Sequence, residues 1–92
     1  MLKWPDKDPD ALLDHEINWA AWLEGDTIAE SDWIVPSGIT KDPDKGDTFT
    51  DTVAVIWLSG GTEGEKYELT NRITTAAGRI DDRTASVKIR SK

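Results

Sequence analysis

The 92-residue sequence contains no cysteine. Disulfides and thiolate metal ligands are therefore excluded, and any core must hold by packing, without the staples on which small secreted domains lean. No apolar run approaches the roughly 20 residues of a membrane-spanning helix. The opening Met-Leu-Lys-Trp-Pro-Asp lacks an apolar h-region, so no secretory signal is expected. Basic residues are scarce: 11 Lys and Arg face 18 Asp and Glu, for a formal net charge of −7. Neither nucleic acid nor an anionic membrane surface is an expected partner, because both are bound by Lys and Arg neutralising phosphates. Histidine occurs once, at position 15.

Aromatic residues, by contrast, are plentiful. Trp4, Trp19, Trp22, Trp33 and Trp57 stand beside Phe49 and Tyr67, and each can bury about 150–250 Å². A chain of this length forms one domain and buries about 60–65% of its unfolded surface. That suffices for one core and is too little for a core plus a deep catalytic cleft.

Along the chain, residues 1–10 are rich in Pro and Asp and read as an irregular N-terminal arm, followed by a single domain over 11–92. Leu13, His15, Ile17 and Trp19 alternate as in a strand, while Leu12, Glu16, Trp19 and Leu23 offer a weaker helical stripe; the strand is favoured to about Trp19, followed by a helical turn carrying Trp22 and Leu23. Residues 27–35 form a second expected strand, with Ser31, Trp33 and Val35 on one face; Pro36 and Gly38 end it. Residues 41–47 read as a polar loop, with a short strand near 48–50. The strongest strand signal is 52–58, where every residue from Val53 to Leu58 is apolar; it suits a central strand buried on one or both faces. After the glycine-rich 59–65, residues 66–75 place Tyr67, Leu69, Ile73 and Thr75 on one face. Residues 78–83 read as a hairpin connection. In the last strand, 84–90, Ala85, Val87 and Ile89 point inward.

About six or seven short strands with regular turn signals indicate an all-β sandwich or barrel. Gly64-Glu65-Lys66-Tyr67 leads into a strand as a tyrosine corner does in immunoglobulin-like sandwiches, although an aromatic on a sheet face reads the same way.

Catalytic constellations are thin. His15 would have to serve as base for a triad, but a histidine on an alternating strand face is usually packed. Carboxylates cluster at Asp6/Asp8/Asp10, Asp42/Asp44/Asp47 and Asp81-Asp82. On turns they are ordinarily solvated, rather than the paired carboxyls of a glycosidase. The Asp42–Asp47 spacing does not match an EF-hand, and no Glu follows at the twelfth position. Gly60-Gly61 lacks the Gly-Lys-Ser/Thr of a phosphate loop. Hence no catalytic residue, metal or cofactor is expected. Trp19, Trp33 and Trp57 are expected in the core. Trp4 and Trp22, outside the strands, are the better candidates for a partner surface, where Trp is enriched.

Six stretches carry a resemblance. They are Lys7-Asp8-Pro9-Asp10 with Ile17-Asn18-Trp19; Asp26-Thr27-Ile28-Ala29 with Trp33-Ile34-Val35-Pro36; Val55-Ile56-Trp57-Leu58-Ser59-Gly60-Gly61-Thr62; and Tyr67-Glu68-Leu69-Thr70-Asn71-Arg72-Ile73-Thr74-Thr75. Over nearly its whole length the chain resembles small virion structural proteins of tailed phages and prophages, some described as fibre–tail adaptors. The resemblance implies an immunoglobulin-like antiparallel β-sandwich and a non-enzymatic place in the virion, in several copies, among tail and fibre subunits. A capsid decoration protein of the same fold and a stand-alone carbohydrate-binding module are the alternatives. On the adaptor reading, Leu2 and Trp4 on the arm, with Trp22, are the expected partner-binding residues. Deleting residues 1–8 is expected to block incorporation and leave the domain folded.

Overall fold

A computed structural model describes residues 2–91. Eight strands and one short helix follow in the order β1 (Leu2–Lys3), β2 (Leu13–Asn18), α1 (Ala20–Leu23), β3 (Ile28–Ile34), β4 (Ile39–Lys41), β5 (Asp47–Phe49), β6 (Val53–Gly60), β7 (Lys66–Thr75) and β8 (Ile80–Lys88). They form two sheets in a β-sandwich arrangement. One has the order β1-β8-β7-β3; the other has β2-β6-β4, with β5 also paired to β6. All pairings between these strands are antiparallel except β1 with β8, which is parallel.

Period-two patterning builds the core. Along β6, Ala54, Ile56 and Leu58 are fully buried while Val53, Val55 and Trp57 are half-buried on the other face. From the facing sheet come Leu69 and Ile73 of β7 and Ala85 and Val87 of β8. A helix of four residues has no stability of its own; α1 exists because Trp19 and Leu23, at its two ends, are sunk in the core.

Four expectations are corrected. The arm is not irregular throughout. Leu2–Lys3 pair with Ala85 and Ser86 as β1, and Lys7 bridges to Ile89. Trp4 N–H donates to Ser86 O at 2.8 Å and Lys7 N–H to Lys88 O at 2.9 Å. Extended backbone beside an open strand takes its unmet hydrogen bonds whatever its composition. Second, β8 begins at Ile80, not after 83, because Asp82 pairs with Arg72 on the outer face through contacts of 2.8 and 3.0 Å. Third, Trp57 is not core: it lies opposite the buried face of β6, with Lys45 Nζ 4.7 Å above its ring. Fourth, Ile39–Lys41 is a strand on β6, opposite Leu58 to Gly60.

Tyr67 ties the β6–β7 connection to the start of β7. Its Oη accepts the Thr62 N–H at 3.0 Å, five positions upstream. Its ring also packs on Gly38 so closely that a Cβ there would lie 2.9 Å from Cε1. Gly38 adopts φ +100°, a second reason that only glycine suits the position.

Candidate functional site

Three residues were expected at a partner surface, and the fold separates them. Trp4 is 8% exposed. Its Nε1 donates to Glu16 O at 3.0 Å, and its ring lies 4.8 Å from the His15 ring and 6.0 Å from that of Trp33. It is therefore a core residue, and the expectation of a Trp4 contact surface is corrected. An indole packed against His15 of β2 and Trp33 of β3 is withdrawn from water, and its single donor is satisfied within the fold.

Lys7 anchors the same segment. Its ammonium donates to Gly60 O at 2.8 Å and Asp8 O at 2.9 Å, and the residue has no solvent exposure. Burial lowers its pKa, while the nearby Asp8 and Asp10 charges raise it. Burial likewise lowers the pKa of His15, whose Nδ1 lies 3.2 Å from Leu13 O. The imidazole is buried and meets the Trp4 ring at a tilt of 44°.

Trp22 sits at the far end of the sandwich, half-buried on α1. Its ring meets Trp19 edge-on at 5.4 Å, and the Arg79 guanidinium lies 4.3 Å above it. Arg79 also donates to Leu23 O at 2.9 Å and to Asp26 at 3.2 Å. The Asp26 carboxyl is held below the usual range by the Thr75 hydroxyl first, then by the Thr27 N–H, Arg79 and the Ala77 N–H. These contacts join the residues that follow α1 to the β7–β8 turn and place Arg79 over Trp22.

Leu2 is exposed at 42%. With Asp82, Arg83 and Thr84 it lines an open cleft of about 430 Å³. Arg83 ties this cleft to the Trp22 end, with its guanidinium 4.4 Å from the Trp19 ring and Nη1 donating to Asn18 O at 3.1 Å. Leu2 and Trp22 are thus connected through Arg83 and Trp19. Arg79 and Arg83 were missed in the sequence because they fall in a stretch read as a hairpin connection. The clean alternation of 84–90, extended backwards, places Arg83 inward.

The acidic clusters are spent locally. Asp42 Oδ2 accepts the Asp44 N–H at 3.2 Å and the Lys45 N–H at 2.8 Å, and Asp47 pairs with Lys41 at 3.0 Å. Among the described residues no three His, Asp or Glu side chains gather into a metal-holding group.

No curated protein matches the chain. The family model described as podophage GP4 fiber-tail adaptor protein gp77 matches residues 7–88. That span takes in every strand except β1, with the buried Lys7 and the Arg79–Trp22 end, and the chain belongs to this podophage fibre-tail adaptor family.

Proposed function

We propose that this chain is a non-enzymatic component of a podophage tail that joins fibre to tail, present in several copies and assembled in the host cytoplasm. The family match over residues 7–88 carries this reading. The geometry agrees with it: the chain's one imidazole is buried, and the Asp26, Asp42 and Asp82 carboxylates are engaged by neighbouring groups. A joining protein needs surfaces facing two neighbours. Two are available, the Trp22–Arg79 end and the Leu2 cleft, and the partners are tail and fibre subunits.

We read the sandwich as immunoglobulin-like. The order β8-β7-β3 follows the G-F-C sheet and β2-β6-β4 the B-E-D sheet. Tyr67 then falls near the start of strand F, where a tyrosine corner belongs.

Gold-labelled antibody on purified virions tests the placement. Label at the tail or fibre base is the expected result. Label spread over the capsid assigns the chain to decoration, and unlabelled particles with an accessible epitope overturn a surface-exposed virion role.

A further inference from the structure

Backbone direction alternates along β8. Ser86 O and Lys88 O accept from Trp4 and Lys7 on the β1 side. On the β7 side, Arg79 O accepts the Thr75 N–H at 2.8 Å, and the Ile89 N–H donates to Glu65 O at 2.9 Å. Even-numbered residues therefore aim their peptide groups away from β7. β1, however, covers β8 only at Ala85 and Ser86. Among the described residues no strand flanks residues 80–83 on that side, so Ile80 and Asp82, with the Thr84 N–H, aim peptide groups at an open edge about 13 Å long, while the β1 register commits the Thr84 carbonyl to Leu2. The Asp82 N–H is held by its neighbour's Oδ1 at 2.8 Å, a local contact that an incoming strand can displace. The cleft beside Leu2 lies on this same stretch, lined by Asp82, Arg83 and Thr84.

We propose that this open edge of β8 takes up an extended, basic segment of a neighbouring virion protein as an added strand in line with β1. The proposal rests on the adaptor reading and names the surface one of the two neighbours uses. Main-chain hydrogen bonds hold such a strand, and alternate side chains select it. In register with β1, the position opposite Arg83 faces inward beside Leu2 and takes an apolar residue. The position opposite Asp81 faces an exposed carboxylate and takes Lys or Arg, whereas the Asp82 carboxylate is already paired with Arg72. The net charge of −7 on each copy also favours a basic neighbour over a second copy of this chain.

The test places a photocrosslinker at the edge of the full-length chain (Asp81→p-benzoylphenylalanine) in phage particles, with Thr40→p-benzoylphenylalanine on β4 as the control. Irradiated, purified virions should yield an adduct from position 81 to another virion protein, mapped by mass spectrometry to a Lys- or Arg-containing segment. Thr84→Pro removes an edge N–H that bonds nothing in β7. It should lower incorporation about ten-fold, the worth of one lost hydrogen bond, with the circular dichroism unchanged. If Thr84→Pro fails to fold, the crosslink alone decides. An adduct only to another copy of this chain overturns the proposed occupant. Particles that contain the chain but give no adduct from position 81 overturn the edge and leave the adaptor reading standing. Wild-type particles that lack the chain overturn both.

Discussion

Trp19 Nε1 donates to Asn71 Oδ1 at 2.9 Å across the interior, and neither residue has any solvent exposure. Trp19 follows β2 in one sheet and Asn71 lies on β7 in the other, so one polar contact fixes how the two sheets face each other. The amide's other end donates to Ser31 Oγ at 2.9 Å and Asp32 O at 3.0 Å, drawing β3 into the same node. A buried amide that satisfies three groups is stabilising only while all three remain paired.

Asn71→Leu keeps the volume and strands these groups. Each buried polar group left unsatisfied costs about 1–3 kcal/mol, so the expected loss is about 3 kcal/mol. For a domain of this size that lowers Tm by about 10–20 °C. Thermal melts followed by circular dichroism check it. A shift of only a few degrees would mean that water reaches the node.

Trp4→Ala should be among the most damaging single changes, at about 3–5 kcal/mol for a large aromatic removed from a core. Deleting residues 1–8 removes both Trp4 and the Lys7 anchor. It should therefore lower the urea midpoint steeply rather than release an intact domain. A truncated chain with an unchanged midpoint would contradict the burial of these two residues.

The strands of the sandwich were legible where side chains alternate cleanly. β7 spans 66–75 as the pattern predicts, and the turn carrying Trp22 and Leu23 is α1. Apolar alternation reports a buried face directly. What it cannot report is polar residues that face inward. Asn71 sits between Leu69 and Ile73 on the inner face, yet its type gives no hint that Trp19, Ser31 and Asp32 satisfy it. The same blindness hid Arg83 and the pairing of β1, both fixed by partners far along the chain. Of the expected contact residues, Trp22 and Leu2 keep surface, while Trp4 was misjudged because irregular-looking sequence was equated with exposure.

Tyr67→Phe removes only the hydroxyl that holds the Thr62 N–H, and should cost about 1 kcal/mol. Gly38→Ala should cost more. It forces a Cβ to within 2.9 Å of the Tyr67 ring and hydroxyl and strains a residue held at φ +100°. Denaturant midpoints of the two variants rank them, and the reverse order would contradict the packing of Tyr67 on Gly38.

Stability should fall on mild acidification. His15 has its pKa lowered by burial first, with the Lys7 charge adding to the effect. Above about pH 6.5 the imidazole is neutral in both folded and unfolded chains. Below that value the unfolded chain takes up the proton first, so stability is lost progressively until pH reaches the lowered folded pKa. His15→Phe should flatten the stability profile between about pH 7 and 5. The Asp26 and Asp82 carboxyls, both lowered, act in a separate window. Their contribution is present above the ordinary carboxylate pKa and is lost at more acidic pH, so it survives in the His15 variant.

Arg83 protects an edge. The outward carbonyls of β2 at Glu16 and Asn18 are taken by Trp4 Nε1 and Arg83 Nη1, which leaves that strand a poor template for pairing with another chain. Arg83→Ala frees Asn18 O and uncovers the Trp19 face. The hydrogen bond and the ring contact together predict a loss of about 1–2 kcal/mol. Arg83→Lys restores the charge, but its ammonium lacks the planar fork that stacks and donates at once, so it should recover only part of the loss. Freed of its cap, β2 should associate with other copies at high concentration, seen as a concentration-dependent shift in light scattering. If Arg83→Ala stays monodisperse while losing stability, Arg83 holds the Trp19 face and the edge is protected by Trp4 alone. In that case Trp4→Phe, which keeps the ring and drops the donor, becomes the variant that should associate.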